Sequence, residues 1–409
     1  MANSVIVSAA RTAIGKFGGT VSGVPATDLG ANAIKGALER AGISGEQIDY
    51  VIMGQVLQAG TGQITARQAA VKAGVPKSVP AITINKVCLS GLNAIALADQ
   101  LIRAGEVSAV IAGGMESMDL APYMLPKART GYRMGDGKLV DSMVHDGLWD
   151  AFNNKHMGDQ SDDVNAEFSI GREEQDAWAA RSHERAAKAI AEGRFADEIV
   201  PFEVPGERQR AGRVGGKRRG DPIVFDTDEG VRETTTVESL AKLRPAFQTD
   251  GTITAGNASQ VSNGGAAVVV MSAERAEELG LTPLAEIVAH GMSADDAPYL
   301  HTVPALAIQA ALKKAGLSVN DLDLLEINEA FAAVALHSTK MLFNGSPEGE
   351  SKVNVNGGAV ALGHPIGCTG ARLAVSLIHE LKRRGGGTGV AALCGGGGQG
   401  DAVIFKVNG

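Results

Sequence analysis

The sequence predicts an α/β protein that contains one α/β unit twice, with a less regular lobe inserted between the copies. Three observations lead to this fold class. Short apolar runs alternate with helical patterns up to residue 118 and again after residue 260, which is typical of a mostly parallel sheet covered by helices on both faces. Between these parts the alternation stops, and charged, loop-like stretches surround one long helical pattern. Finally, two blocks of the first part recur in the last part.

The regular elements follow from hydrophobic spacing. Apolar, β-branched runs predict strands, and apolar residues three and four apart predict helices that often end at glycine. Before residue 118 the predicted strands are 5–8, 48–56, 81–87 and 107–112, and the predicted helices are 28–41, 66–73 and 90–102. Later in the chain the predicted helix is 172–192 and the predicted strands are 266–271, 322–327 and 390–393.

The internal repeat relates two regions that carry cysteine. The repeated blocks are residues 37–52 and 90–102 in the first copy and 311–326 and 369–378 in the second. Their order and spacing agree; the alternative is chance similarity between helices rich in alanine and leucine. In this alignment Cys88 corresponds to Gly367, and Met115 corresponds to Cys394. Each half is therefore expected to contribute its own reactive residue from the same region of the fold.

Composition excludes several classes of function. The formal net charge is −8, which argues against nucleic-acid binding as the main role. Three cysteines cannot form a disulfide framework and indicate a reducing, cytoplasmic compartment. The N-terminus lacks the pattern of a secretory signal, and no apolar run approaches the roughly 20 residues of a membrane span. We therefore expect no membrane and no nucleic-acid partner.

Cys88 stands where a buried strand should turn into a helix. The run 81–87 is apolar and β-branched, and a helical pattern begins near Ser90. Unpaired N–H groups and the positive end of the helix dipole at such a terminus stabilise a thiolate. The sequence therefore predicts a lowered thiol pKa and a nucleophile at Cys88. The alternative is a structural cysteine, since free cysteines are usually buried.

Three further polar side chains lie at strand ends or in glycine-rich loops of the last part. Asn328 follows a buried strand, His364 lies in the loop 356–372, and Cys394 precedes a run of glycines. Side chains at strand ends face the crevice in which α/β sheets bind ligands. The set predicts a thiol nucleophile, a base and a second thiol that moves a proton. A metal site is disfavoured because no Cys-x2-Cys pair occurs.

Together these stretches resemble the thiolase family over essentially the whole chain, and within it the acetyl-CoA C-acetyltransferases. The matching pieces are residues 11–19, 83–93, 112–118, 156–158, 243–247, 254–259, 328–331, 363–372 and 394–397. One such piece alone would be a weak signal, but the set is specific to the family.

The resemblance implies a duplicated five-layer α-β-α-β-α fold with an inserted loop domain, usually assembled as a dimer or a tetramer. The N-terminal half would comprise residues 1–118 and 261–282, the CoA-covering lobe residues 119–260, and the C-terminal half residues 283–409. CoA and acyl-CoA would be substrates, and the chemistry would require no metal or redox cofactor.

The same resemblance assigns catalytic roles. Cys88 would take the acetyl group of acetyl-CoA while His364 takes the thiol proton, and Cys394 would remove an α-proton from a second acetyl-CoA. The carbanion would then attack the acetyl thioester. His364 and a water held by Asn328 would form one oxyanion hole, and the N–H groups of Cys88 and Gly396 the other.

The resemblance also implies contacts with CoA. The matching positions are Leu148, His156, Met157, Arg232, Ser239, Leu243, Ala246, Phe247, Ala255, Ser259, Ala330 and Phe331. The basic segment 208–219 is expected either to attract CoA phosphates or to be an ordinary solvated loop.

Alternatives remain at this point. The stretch 293–304 lacks the Met-Gly-x-Gly-Pro piece that lines the acyl pocket in biosynthetic thiolases. The expected reaction is the formation of acetoacetyl-CoA in fatty acid metabolism; the alternative is a longer-chain 3-ketoacyl-CoA thiolase of β-oxidation. A β-ketoacyl carrier-protein synthase would lack the second thiol, Cys394. A catalytically silent acyl- or lipid-binding protein on the same scaffold is disfavoured because Cys88, Asn328, His364 and Cys394 are all present.

Overall fold

The computed structural model describes residues 4–204, 222–296 and 299–409. Up to residue 118 its elements follow the predicted order, with shifts of a few residues at their ends. They are β1 (Ser4–Arg11), β2 (Gly15–Lys16), α1 (Ala26–Ala41), β3 (Tyr50–Gly54), α2 (Thr65–Lys72), β4 (Ala81–Ile84), α3 (Ser90–Arg103) and β5 (Ala109–Ser117). The prediction of alternating strands and helices in this part is confirmed.

The segment between β5 and residue 261 forms small hairpins and helices instead of adding to the large sheet. Its elements are β6 (Tyr123–Met124), β7 (Val140–Asp141), β8 (Trp149–Asp150), β9 (Lys155–His156), α4 (Met157–Glu167), α5 (Arg172–Ala191), β10 (Phe202–Val204), β11 (Ile223–Phe225) and α6 (Val237–Leu240). The predicted long helix of this lobe is confirmed as α5. No helix in the described ranges is long and apolar enough to cross a membrane.

The regular alternation resumes after the lobe. The remaining elements are β12 (Ser262–Ser272), α7 (Ala273–Glu278), β13 (Ala285–Ala294), α8 (Val303–Ala315), β14 (Leu324–Ile327), α9 (Ala332–Phe343), α10 (Pro347–Ser351), α11 (Ala359–Leu362), α12 (Ile366–Arg383), β15 (Gly387–Gly395) and β16 (Gln399–Val407).

The large sheet is mixed, so the expectation of a mostly parallel sheet is wrong. Its strands are ordered β14-β15-β16-β13-β1-β12-β5-β3-β4. Parallel pairing is found for β3 with β4 and β5 and for β14 with β15, whereas the pairs in between are antiparallel. The reason is the connections: β15 and β16 are joined by a tight glycine turn, which produces an antiparallel pair, and β12 is reached only after the lobe. Neither feature alters the hydrophobic pattern of the strands.

The two halves repeat the same succession of elements. β1, β3, β5 and β12 of the first half have β13, β14, β15 and β16 as counterparts in the second. The helices α1 and α8 both end at a left-handed glycine, Gly42 with φ of 70° and Gly316 with φ of 68°. The halves meet in the sheet through a short pairing between β1 and β13.

Two helices form the central layer between the halves. α3 packs against β3, β5 and β12, and α12 packs against both β5 and β15 as well as against α3. The outer layers are α1 with α2 on one side and α8 with α9 on the other. The two central helices approach so closely that glycine is required: a β-carbon on Gly370 would lie 2.4 Å from the Leu92 nitrogen, and one on Gly91 2.7 Å from the Ala371 nitrogen. This contact joins the helix ends that follow Cys88 and His364.

Candidate active site

The turn from β4 into α3 has a strained backbone at the residue that precedes Cys88. Val87 has a φ of +50°, which is a rare conformation for a β-branched residue. The turn is held by hydrogen bonds: the Val87 N–H donates to Asn85 Oδ1 at 2.9 Å, the Ser90 hydroxyl donates to the Val87 carbonyl at 2.6 Å, and the Lys86 N–H donates to Ser90 Oγ at 2.8 Å. A sharp strand-to-helix turn of this kind fixes the direction of the side chain that follows it.

Cys88 is buried, with 2% of its surface exposed, and its sulfur faces N–H groups of both halves. These N–H groups belong to Cys88 itself and to Gly396. Burial raises the pKa of the Cys88 thiol to about 12, and the charge of Glu116 adds to this, while the two N–H groups oppose it. The predicted lowering of this pKa by the helix terminus is therefore wrong, because desolvation of the charged form outweighs the hydrogen bonds.

Cys394 lies next to Cys88 although the two are far apart in sequence. It is fully buried near the end of β15, and burial together with the charge of Cys88 raises its pKa. The end of β15 also packs directly against the turn that carries Cys88: a β-carbon on Gly395 would lie 2.7 Å from Leu89 Cγ, and one on Gly396 would lie 3.4 Å from Val87 Cγ1. The structure therefore brings together the two thiols that sequence reasoning placed in different halves.

His364 is held in one tautomer by Thr369. The Thr369 hydroxyl donates to the Pro365 carbonyl at 2.9 Å, so its oxygen accepts the hydrogen of His364 Nδ1 at 2.7 Å. Nε2 is then unprotonated and faces the Asn328 amide nitrogen at 3.4 Å. Burial, with a smaller contribution from the positive charge of Arg372, lowers the pKa of His364 to about 3. The imidazole is therefore neutral at physiological pH and can accept a proton through Nε2.

Asn328 is fixed at the end of β14 with one polar atom unused. Its backbone N–H donates to the Ala392 carbonyl at 3.0 Å. The side-chain Oδ1 is buried and has no hydrogen-bond partner among the residues that the structure describes. A buried acceptor without a partner is unfavourable unless a water or a ligand donates to it, so this oxygen is suited to hold a water beside His364.

An apolar wall adjoins Cys394. Met157, Ala330, Phe331 and partly buried Phe247 pack in one cluster with the Cys394 side chain. His156 stacks on Phe247 with ring centroids 4.8 Å apart. Five of the residues predicted to contact CoA thus lie together beside the second thiol.

Other predicted CoA positions lie nearer the surface. Leu148 packs against the core cluster that contains Cys88, and the Ser259 N–H donates to the Ala330 carbonyl at 3.1 Å. The exposed members of the predicted set are Arg232, Ser239, Leu243, Ala246 and Ala255. The basic segment 208–219 lies outside the described residues.

Sequence reasoning missed the charged residues that support the site. Lys86 donates to both oxygens of Asp401 at 2.8 and 3.1 Å, and Asn93 donates to Asp401 at 3.1 Å. Asp401 is buried in β16, across the β15–β16 turn that carries Gly396. Glu116 is likewise buried in β5. The signal that was available is a single acidic residue inside an otherwise apolar strand, since charged groups are almost never buried without partners.

Comparison with known proteins places this geometry in a family. Residues 4–274 match the thiolase N-terminal domain and residues 281–407 match the thiolase C-terminal domain. A probable acetyl-CoA acetyltransferase of Mycolicibacterium smegmatis is 55% identical over 402 residues, which is 98% of this chain and 100% of the relative. An acetyl-CoA acetyltransferase of Pseudomonas aeruginosa is 52% identical over 405 residues, which is 99% of each chain.

A solved structure agrees with these relatives. The crystal structure of the Bacillus anthracis acetyl-CoA acetyltransferase superposes with a TM-score of 0.93 at 43% identity, and the match covers 100% of this chain and 99% of that one. The predicted duplicated fold is therefore confirmed. With both domains matched and full-length relatives above 50% identity, this chain belongs to the thiolase family.

Proposed function

We propose that the protein is an acetyl-CoA C-acetyltransferase, which condenses two acetyl-CoA molecules reversibly to acetoacetyl-CoA and CoA. The observation that carries the proposal is the meeting of Cys88 and Cys394, two buried thiols from opposite halves, with the Cys88 sulfur against the N–H of Gly396. The names of the full-length relatives support the same reaction.

In the first half-reaction, Cys88 Sγ attacks the thioester carbon of acetyl-CoA and its proton passes to His364 Nε2. The bond between the acetyl carbon and the CoA sulfur breaks, and that sulfur takes a proton from Cys394. The N–H groups of Cys88 and Gly396 stabilise the oxyanion of the tetrahedral intermediate. Because neither thiol is ionised beforehand, the proton transfer accompanies the attack.

In the second half-reaction, the Cys394 thiolate removes an α-proton from a second acetyl-CoA. The carbanion attacks the acetyl group on Cys88, acetoacetyl-CoA forms, and Cys88 recovers its proton from His364. The enolate oxygen is stabilised by His364 and by a water held at Asn328 Oδ1, which is the buried oxygen without a partner. The scheme requires neither a metal nor a redox cofactor.

Side chains beside Cys394 favour a short acyl group. Leu300 and Val303, from the stretch that departs from the family pattern, pack in the same cluster as Cys394, Met157 and Phe331. Both are buried and branched, so they reduce the space that a long acyl chain would need. Acetoacetyl-CoA is therefore preferred to the longer 3-ketoacyl-CoA of the alternative hypothesis.

Several finer assignments belong to the proposal. They are the domain boundaries at residues 118, 260 and 282, the twelve CoA contacts from Leu148 to Phe331, a homodimer or homotetramer, a cytoplasmic location and a place in fatty acid metabolism. The reactive, reduced cysteines support a reducing compartment.

The nucleophile is tested by rapid mixing with radiolabelled acetyl-CoA. We expect a burst of one acetyl group per wild-type chain, no burst in Cys88→Ala, and a normal burst in Cys368→Ala, which changes the remaining buried cysteine. A burst retained in Cys88→Ala would reject the proposed function.

Chain length is tested by thiolysis of 3-ketoacyl-CoA substrates from C4 to C16. We expect kcat/KM to be highest for C4 and to fall by at least about 100-fold at C16. A profile that rises with length would instead favour the longer-chain thiolase. Leu300→Ala is expected to raise the relative rate on C6, since it removes volume next to Cys394.

A further inference from the structure

Glu116 is a buried carboxylate that the proposed steps do not use. It lies in β5 directly after Met115 and is 0% exposed. It is the single charged residue of that strand. A buried charge is unfavourable unless it is paired or hydrogen-bonded, so its contacts indicate why it is tolerated.

The Glu116 carboxylate joins the two halves through backbone donors. Oε2 accepts the N–H of Val56 at 2.9 Å and the N–H of Gly367 at 3.0 Å, and Oε1 accepts the N–H of Leu57 at 3.2 Å. Val56 and Leu57 follow β3 in the first half, whereas Gly367 lies in the first turn of α12 in the second half. One side chain therefore connects the segment after β3 in the first half to the first turn of α12 in the second half.

The helix end that Glu116 contacts lacks a side-chain cap of its own. α12 begins after Pro365, which supplies no capping hydrogen bond, and N–H groups of a first turn have no partner within their helix. A carboxylate there also interacts favourably with the helix dipole. A β-carbon on Gly367 would lie 2.8 Å from Glu116 Oε2 and 2.8 Å from the Gln55 Cα, so glycine allows the carboxylate to reach the helix.

We propose that Glu116 is a positioning residue, which holds the first turn of α12 and with it His364 in the correct place relative to Cys88. Gly367 is three residues after His364, and its carbonyl oxygen would lie 3.0 Å from a β-carbon on Gly91, which is three residues after Cys88. The contact between Glu116 and Gly367 thus lies between the segments that carry His364 and Cys88. The proposal rests on the proposed function, in which these two groups exchange a proton.

The charge of Glu116 has a separate and opposite effect. It raises the pKa of Cys88, and the charge of Cys88 in turn raises the pKa of Cys394. Burial raises the pKa of Glu116 itself to about 7, against three hydrogen bonds that lower it. Removing the carboxylate should therefore increase the thiolate fraction of Cys88 while the geometry for acetyl transfer deteriorates. Alkylation of Cys88 measures the thiolate fraction, and the acetylation burst measures the geometry for acetyl transfer.

The test compares two variants of the same residue. Glu116→Leu removes both acceptor oxygens. Glu116→Gln removes the charge and keeps an oxygen at the position shared by Val56 and Gly367, but it places an NH2 group in place of the oxygen that accepts the Leu57 N–H. For Glu116→Leu we expect the acetylation burst to slow by about 100-fold, with the KM for acetyl-CoA within about twofold of wild type. For Glu116→Gln we expect a loss of at most about tenfold. Alkylation of Cys88 by iodoacetamide at pH 8 should be faster in both variants.

The matched control is Glu380→Gln, at the other end of α12. Glu380 is also a buried carboxylate, and it accepts hydrogen bonds from Arg383, Arg384 and Asn356. The burst and alkylation rates of Glu380→Gln should match those of wild type. If Glu116→Leu does not fold, Gly367→Ala disturbs the same contact from the opposite half and should show the same loss of burst rate at an unchanged KM.

The outcomes separate this inference from the proposed function. If wild type gives no burst, the proposed function fails. If wild type bursts normally, the inference is overturned by any of three results. These are a burst in Glu116→Leu within about threefold of wild type, an equal defect in Glu116→Gln, or alkylation that slows in parallel with acetylation.

Discussion

At the scale of single residues, Cys88 and His364 become charged during the reaction and not before it. Burial raises the pKa of Cys88 to about 12 and lowers that of His364 to about 3. Both groups are therefore neutral between pH 5 and pH 9, so Cys88 and His364 form no ion pair before the substrate reacts. A thiol and an imidazole in these states are competent only if the imidazole presents its unprotonated nitrogen, and Thr369 ensures that it does.

Thr369→Val tests this control of the tautomer. The variant leaves the His364 Nδ1 hydrogen without an acceptor, which costs about 1–3 kcal/mol for a buried group. We expect the acetylation burst to slow by about 10- to 100-fold with an unchanged KM for acetyl-CoA. Thr339→Val, which removes a comparable buried hydroxyl on α9, should burst at the wild-type rate. An equal slowing in both variants would contradict the role of Thr369.

At the scale of elements, the turn between β4 and α3 is the feature that hydrophobic pattern alone did not reveal. The pattern located both elements near their observed ends, yet it could not indicate that Val87 adopts a φ of +50°. That conformation is held by local side-chain hydrogen bonds, in which Asn85 Oδ1 accepts the Val87 N–H and the Ser90 hydroxyl donates to the Val87 carbonyl. Hydrophobic spacing carries no signal for such bonds. The strand pairing was mispredicted for a related reason, since connection geometry leaves no periodic signal.

Ser90→Ala tests whether these bonds maintain the turn. The variant removes an acceptor for the Lys86 N–H and a donor to the Val87 carbonyl, and both groups are partly buried. We expect unfolding to become easier by about 1–3 kcal/mol and the burst to slow by at least about tenfold. Urea unfolding and rapid mixing measure the two effects. A loss of stability without any loss of burst rate would show that the turn does not control Cys88.

The contact between α3 and α12 is the second feature at this scale. In Gly370→Ala the new methyl group would lie 2.4 Å from the Leu92 nitrogen, so the helices must separate. Overpacking of this kind costs about 1–3 kcal/mol, and we expect a lower urea midpoint together with a slower burst. Gly171→Ala is the control, because within the described ranges no heavy atom outside its own chain neighbours and helix backbone lies within 4 Å of its β-carbon position. A neutral Gly370→Ala would contradict the close helix contact.

At the scale of the whole molecule, the fold could be predicted and part of the site could not. The alternation of elements, the repeat and the four reactive residues Cys88, Asn328, His364 and Cys394 were all visible in the sequence. The sequence could not show how far burial shifts the pKa of the site residues, because burial depends on how the two halves pack together. The wrong prediction of the Cys88 pKa and the unrecognised role of Glu116 both have this origin.

The docking of the inserted lobe gives a prediction about acid stability. His301, before α8, is fully buried and contacts Asn165 of α4 through Nε2 at 2.9 Å. Burial lowers its pKa from 6.5 to about 3. The unfolded chain therefore binds a proton that the folded chain excludes, and stability is lost as pH falls from 6.5 toward 3. His301→Gln, which does not titrate, should lose about 2–3 kcal/mol less than wild type between pH 7 and pH 4.5.

Urea unfolding at both pH values measures this difference. His145→Gln is the control, since His145 is exposed, and it should follow the wild-type profile. Identical pH profiles for wild type and His301→Gln would contradict the assignment of this acid sensitivity to His301.

The central claim is that thiols from two halves of the chain act in turn on acetyl-CoA. The most direct measurement is deuterium exchange at the α-carbon of acetyl-CoA in Cys394→Ala, made together with the acetylation burst. We expect Cys394→Ala still to acetylate Cys88, because the departing CoA thiolate can take its proton from water instead of from Cys394. We expect it to exchange the α-protons of acetyl-CoA at least about 1,000-fold more slowly than wild type. Exchange at the wild-type rate in this variant would contradict the claim.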